Sequence, residues 1–122
     1  MAALKAIYVT SKEPEMKQDY AEKGIIQVLL DLISNEAENS LEMREIAFNI
    51  ISNMCMECRL NQKEFRRKGG VELLRSNLKL EDLILNASHH REAGTIGGNS
   101  VSTYLVAVID CLSNAVLVNK RS

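Results

Sequence analysis

The sequence predicts an all-α protein, and three observations support this fold class. The 122 residues include one proline, six glycines and only 4% aromatic residues, a composition that favours helix over sheet. Apolar residues recur at helical spacing in several stretches, each bounded by capping residues or glycines. Some of these stretches also repeat along the chain. We therefore expect residues 1–122 to form a single helical domain.

The first third of the chain contains three predicted helices. Leu4 to Thr10 is apolar and predicts the end of a helix. Pro14 suits the first turn of the next helix, where its missing N–H costs nothing, and that helix continues to Lys23. Gly24 suits the left-handed position after a helix end, and Ile25 to Ser34 follows as a nearly all-apolar helix.

A long helix is predicted from about Ser40 to Cys58. Asn39 followed by Glu42 has the spacing of a capping box at its start. Asn61 with Glu64 repeats that spacing and predicts a short helix through Lys68.

The last part of the chain contains two more predicted helices. An apolar helix follows Gly69-Gly70 and runs from Val71 to about Leu85. Residues 86–100 are rich in glycine, serine and histidine and predict a mobile loop. Ser100 or Asn99 would then cap a final helix from Val101 to Val118.

Two short segments of the sequence are repeated further along the chain. Tyr20 to Leu29 superposes on Phe65 to Leu74 at an offset of 45 residues, and Ile50 to Asn53 superposes on Cys111 to Asn114 at an offset of 61. The difference between the offsets is about the length of the predicted loop 86–100, which indicates an insertion in one repeat. Periods of about 40 to 47 residues are typical of helical-repeat solenoids.

The segment Ile50-Ile-Ser-Asn-Met54, followed by Gly69 and then by Val71-Glu-Leu-Leu74, resembles the armadillo repeat. The resemblance implies a right-handed superhelix of about two repeats, the first from about 14 to 58 and the second from about 61 to 122. Since a solenoid buries its core between units, we also expect these residues to be a segment of a longer solenoid, or to pack on another chain.

In the armadillo family, an asparagine of the third helix lines a groove and binds the backbone of an extended ligand. By motif this role falls on Asn53 and Asn114, while Asn49 and Asp110 occupy the place where some members have tryptophan. Asn49 and Asn53 are four residues apart, as are Asp110 and Asn114, so the two members of each pair lie on the same face of their helix. The predicted partner-binding residues are these four and Glu45.

A further, shorter resemblance concerns the end of the chain. The Val71-Glu-Leu-Leu74 helix, a long insert and then Tyr104 to Val116 are similar to the armadillo-type region of a cilia- and flagella-associated family of the axonemal central apparatus. This resemblance implies a scaffolding role in a ciliary axoneme.

The alternative to a protein-binding module is a different class of protein, an enzyme or a metal protein. Cys55 and Cys58 have the spacing used for zinc and for dithiol chemistry. The nearest further ligands, His89 and His90, lie about 30 residues on, and no second pair of cysteines exists. No nucleophile, base and orienting residue can be combined from the sequence either. We therefore expect no catalytic residue, no metal and no cofactor.

The remaining sequence features concern partners and location. A net charge of −1 and few aromatic residues argue against nucleic acid, and no apolar run approaches the roughly 20 residues of a membrane helix. Three cysteines, an odd number, favour reduced thiols and the cytoplasm. The predicted function is binding of a protein or extended peptide, either as a scaffold or as an adaptor of the nuclear-transport or adhesion type.

Overall fold

A computed structural model describes residues 2–78 and 95–117, and every regular element in this part of the chain is a helix. The all-α class is therefore confirmed for these residues. The helices are α1 (Ala2–Thr10), α2 (Pro14–Glu22), α3 (Ile25–Ser34), α4 (Leu41–Cys55), α5 (Arg59–Arg67), α6 (70–78) and α7 (Thr95–Leu112), which continues into a π-helical turn (Ser113–Leu117).

Helix α4 lies at the centre of the fold. It packs against α1, α3, α5, α7 and the π-helical turn. Its residues Phe48, Ile50, Ile51 and Met54 are completely buried, and burial of each such side chain contributes about 1.5–3 kcal/mol. The ring of Phe48 meets that of Tyr104 on α7 edge to face, with 5.7 Å between the ring centroids. Most of the other described helices therefore pack directly on α4.

Two glycines end helices at corresponding places, as predicted. Gly24 follows α2 with a φ of 76°, and Gly69 follows α5 with a φ of 89°. Both values lie in the left-handed region, which glycine adopts without the steric cost of a Cβ atom. Each glycine thus lets the chain turn directly into the next helix, α3 or α6.

The two predicted capping boxes are wrong. Ser40, not Asn39, is the N-cap of α4, and its hydroxyl accepts the N–H of Met43 at 3.2 Å. The amide of Asn39 instead donates to the carbonyl of Leu32 at 3.0 Å, at the end of α3. The amide of Asn61, inside α5, likewise donates to Met54 O at 2.8 Å. Both amides bond carbonyls in the last turn of the preceding helix, rather than the free N–H groups of the helix that follows.

Two predicted helix boundaries are also wrong. Helix α4 ends at Cys55, three residues before the expected Cys58. Helix α7 begins at Thr95, so residues 95–100 are helical and neither Asn99 nor Ser100 is its N-cap. The glycines at 97 and 98 cost about 1 kcal/mol each in a helix, which is too little to prevent its extension. The rest of the predicted loop, 86–94, lies outside the described residues.

Among the described residues, one cation is buried in the core: the guanidinium of Arg44 on α4, which is only 5% exposed. Its Nη2 donates to Tyr104 Oη at 3.2 Å and to Asn77 Oδ1 at 3.4 Å, and its Cζ lies 5.3 Å from the centroid of the Tyr104 ring. Its Nε is buried without a hydrogen-bond partner, and none of the described carboxylates forms an ion pair with it. Desolvation of this charge is therefore only partly offset.

Replacement of Arg44 by methionine should stabilise the protein. Tyr104 Oη also donates to Asn77 Oδ1, and Asn77 Nδ2 donates to Leu73 O, so both neighbours keep a hydrogen bond when the guanidinium is removed. We expect Arg44→Met to raise the free energy of unfolding by about 1 kcal/mol, measured by urea denaturation. Arg75→Met, at an exposed position of α6, is the control and should change little. Lower stability of Arg44→Met would show that the cation–π contact outweighs desolvation.

Candidate functional site

The structure separates the predicted partner-binding residues into two groups. Asn53 and Asn114 point inward: Asn53 is 7% exposed and its Nδ2 donates to Ser11 Oγ at 2.9 Å. Ser11 Oγ in turn donates to Tyr8 O at 2.8 Å, at the end of α1. Asn114 Nδ2 donates to Ser52 Oγ at 2.7 Å. In both cases the asparagine amide bonds a serine hydroxyl on a neighbouring element earlier in the chain.

These two hydrogen bonds link three elements side by side. Asn53 joins α4 to the end of α1, and Asn114 joins the π-helical turn to α4. A hydrogen bond between neutral groups contributes about 0.5–1.5 kcal/mol, and more is lost when a buried partner remains unsatisfied. In this structure the asparagine amides hold the helices together.

Asn53 and Asn49 therefore give a matched pair of variants. We expect Asn53→Ala to lower the free energy of unfolding by about 1–3 kcal/mol, because it removes the bond to Ser11 and leaves a small cavity. Asn49, one turn earlier on α4, is only half-buried, and Asn49→Ala should change stability by less than about 0.5 kcal/mol. Urea denaturation of the two variants measures both effects. Equal stability of the two would contradict a structural role for Asn53.

The second group lies on a surface shared by α4 and α7. We call it the α4–α7 face and define it by these residues: Glu42, Glu45 and Asn49 of α4, and Thr103, Val106, Ile109 and Asp110 of α7. The hydroxyl of Thr103 donates to Glu45 Oε1 at 3.2 Å across the two helices. Asp110 is exposed one helical turn after Val106. The structure thus brings Glu45, Asn49 and Asp110 to one side of the molecule.

Two adjoining cavities lie on the α4–α7 face and share the residues Glu45 and Thr103. One of about 300 Å³ is lined by Glu45, Asn49, Thr103, Val106 and Ala107. The other, of about 480 Å³, is lined by Leu41, Glu42, Glu45 and Thr103. The described residues that line them include two carboxylates and no basic side chain. The face therefore combines negative charge with exposed apolar side chains.

The cysteines do not form a reactive pair in this structure. Cys55 and Cys111 are completely buried and Cys58 is half-buried, and all three are free thiols. Burial, with a smaller contribution from the neighbouring Cys58, raises the pKa of Cys55 to about 12. Burial also raises the pKa of Cys111 well above its usual value. Since the thiolate is the nucleophile and metal ligand, these two thiols are inert at neutral pH.

Thiol reactivity should follow this difference in burial. In the native protein at pH 8, we expect dithionitrobenzoate to modify Cys58 alone, and Cys55 and Cys111 only after unfolding in urea. The released thionitrobenzoate counts the reacting thiols, and Cys58→Ser is the control that should abolish the native reaction. Rapid reaction of more than one thiol in the native state would contradict the buried positions.

The structure shows no metal centre in its described part, where no three histidine, cysteine or carboxylate side chains are grouped to hold a metal ion. His89 and His90, the candidate further ligands, lie outside the described residues. Cys55 and Cys58 therefore remain a pair of thiols at the end of α4.

A further groove, of about 570 Å³, was not foreseen from the sequence. It lies between α2 and the start of α5, and Leu60 is the most exposed large apolar side chain in it. Its α2 side is formed by Pro14, Lys17, Gln18, Ala21 and Glu22, which recur at helical spacing. Lys17 Nζ crosses the groove to donate to Met56 O at 2.8 Å. The helical spacing of these α2 residues was the signal in the sequence that could have indicated this side of the groove.

Comparisons with known proteins add no family assignment: no protein-family model, curated protein or solved structure matches the chain. Among the helices that the structure describes, none is long and apolar enough to cross a membrane.

Proposed function

We propose that the chain is a non-enzymatic interaction module that binds a protein segment on its α4–α7 face. The observation that carries this proposal is the combination of exposed apolar side chains, Val106 and Ile109, with the carboxylates of Glu45 and Asp110. Surfaces of this composition suit a partner with apolar anchors and basic residues, because charge complementarity guides binding and apolar burial supplies affinity. The expected setting, the cytoplasm or a ciliary axoneme, is part of the same proposal.

An armadillo-like stack of two units is the architecture that we propose for this module. Three features support it: the left-handed glycines after α2 and α5, the two asparagine-to-serine bonds, and the packing of α4 against both α1 and α7. The two glycines, and the two asparagines that donate these bonds, occupy corresponding positions in the repeated segments. In this arrangement Glu45 and Asn49, rather than the asparagines of the Ser-Asn pairs, contact the partner.

A pair of designed peptides tests the proposal. The probe is a short fluorescein-labelled peptide of leucine and lysine, and its counterpart replaces each lysine by glutamate. We expect fluorescence anisotropy to detect binding of the lysine peptide only. The double variant Glu45→Gln/Asp110→Asn should bind it about tenfold more weakly, since two exposed ion pairs contribute about 1.4 kcal/mol together.

The matched control is Glu15→Gln/Glu36→Gln, which removes the same charge from exposed positions elsewhere on the molecule. It should keep the affinity of the unmodified chain. An equal loss in both double variants would show that only net charge matters, and binding of both peptides would show that the face has no charge preference. Either result would contradict the proposal.

A further inference from the structure

Helix α1 presents a stripe of basic and apolar residues to solvent. Lys5, Tyr8 and Val9 are exposed on one side of the helix, followed by exposed Lys12 in the next turn. The spacing of three and four residues places Lys5, Tyr8 and Val9 on one face of the helix, which ends at Thr10, and Lys12 lies in the turn that follows. Val9 is 73% exposed and Tyr8 is 41% exposed, so two neighbouring apolar side chains face solvent on this helix. This stripe is defined as the α1 stripe: Lys5, Tyr8, Val9 and Lys12.

Helix α7 has an exposed side of the opposite charge. Val106 is 57% exposed, and Thr103, Ile109 and Asp110 are exposed beside it. The other side of the helix is buried through Tyr104, Ala107, Val108 and Cys111. The exposed side of α7 belongs to the α4–α7 face, where Glu45 adds a second carboxylate.

We infer that the partner of the α4–α7 face is the α1 stripe of a second copy of this chain. The stripe carries two ammonium groups and two apolar side chains, and the face carries carboxylates and two apolar side chains. Lys5 and Lys12 would lie against Glu45 and Asp110, and Val9 would pack on Val106 and Ile109. This inference rests on the proposed function, because it names the occupant of the same face.

The packing of helices within one chain is consistent with this contact between copies. Helix α4 already packs against both α1 and α7. When α1 of a second copy packs on the exposed side of α7, the layer of neighbouring helices continues from one copy to the next. The two contacting surfaces differ, so the contact is head to tail, and it extends a row of copies unless the rotation closes a ring.

The contact should be weak and sensitive to salt. A single helix on one face buries less than about 1,200 Å², the range of transient complexes. The ion pairs lie at the surface, where salt screens them. Association should therefore be detected at high micromolar to millimolar concentration and decrease in strong salt.

Two single variants and their mixture test the inference by sedimentation velocity. The mass of the unmodified chain should rise continuously with concentration. Val9→Asp removes the α1 stripe and Val106→Asp removes the face, so each variant alone should be monomeric. An equimolar mixture should form dimers and nothing larger, because each variant retains the surface that the other lacks. Val28→Asp, at a valine that is 56% exposed on α3, is the control and should associate like the unmodified chain.

Several results would overturn the inference. Circular dichroism first confirms that each variant keeps its helix content, which is expected because both valines are exposed. A mixture that stays monomeric, when the unmodified chain associates, would show that the contact is not head to tail. A monomeric unmodified chain at millimolar concentration would also refute self-association. If the lysine peptide still binds Glu45 and Asp110 in that case, the proposed function stands and only the identity of the partner is wrong.

Discussion

The Gly70→Ala variant should lose about 3 kcal/mol of stability, the upper end of the range for overpacking a protein core. Gly70 is buried at the start of α6, and a Cβ atom there would overlap the ring of Phe65, which is completely buried on α5. The ring cannot move outward without disturbing its neighbours, because protein interiors are densely packed. Urea denaturation at constant temperature measures the loss.

The neighbouring Gly69 provides the control for this variant. An added Cβ at Gly69 meets no atom within 4 Å, but the backbone there has a φ of 89°. Gly69→Ala should therefore cost only about 1–2 kcal/mol, from the left-handed conformation alone. The second mutation Phe65→Leu should relieve the overlap in Gly70→Ala and leave Gly69→Ala unrelieved. If Phe65→Leu lowers the stability of both variants equally, a clash with the ring is not the cause.

The Gln62→Leu variant should have a similarly large effect, of about 3 kcal/mol. Gln62 is buried on α5, and its Nε2 donates to Cys55 O at 2.8 Å and to Asn114 O at 3.1 Å. Leucine has a similar volume but no donor, so Cys55 O and Asn114 O both lose the amide, although Cys55 O keeps the backbone N–H of Cys58 at 3.1 Å. Because two hydrogen bonds are removed at once, we expect a loss at the upper end of the range of about 1–3 kcal/mol. Equilibrium unfolding in urea, followed by far-ultraviolet circular dichroism, measures the change.

Gln18→Leu is the matched control for this variant. Gln18 is exposed on α2 and donates only to Glu22, at 3.2 Å. Its replacement should change stability by less than about 0.5 kcal/mol. A loss for Gln62→Leu as small as the control would mean that water replaces the amide at both carbonyls.

Helix positions could be predicted well where the signal is local. Pro14 begins α2 and Gly24 ends it, and the limits of α3 are those expected from its apolar run. These features depend on backbone conformation at single residues, which composition and spacing reveal. The same reasoning predicted a helix end at Gly69, whose φ of 89° is also left-handed.

The direction of the polar side chains could not be predicted in the same way. An amide beside a helix end can bond the free carbonyls of one helix or the free N–H groups of the next, and spacing alone does not decide between them. Asn39 and Asn61 lie against the preceding helix, and this contact determines that their amides donate to its carbonyls. For Asn53, the acceptor Ser11 is 42 residues away in sequence, so no local pattern shows it. The burial of Asn53, in contrast to the half-buried Glu45 and Asn49, is therefore set only by the packing of α1 and α7 on α4.

The amides that bond preceding helix ends have a consequence for evolution. Asn39 bonds Leu32, Asn61 bonds Met54 and Gln62 bonds Cys55, and each amide reaches the carbonyl of the residue seven positions earlier. Insertion or deletion of one residue within any of these spans would displace the amide from its carbonyl. For Asn61 and Gln62, which lie on α5, the displacement is a rotation of about 100° around the helix. Natural variants of this chain should therefore tolerate substitution in these two connections far better than a change in their length.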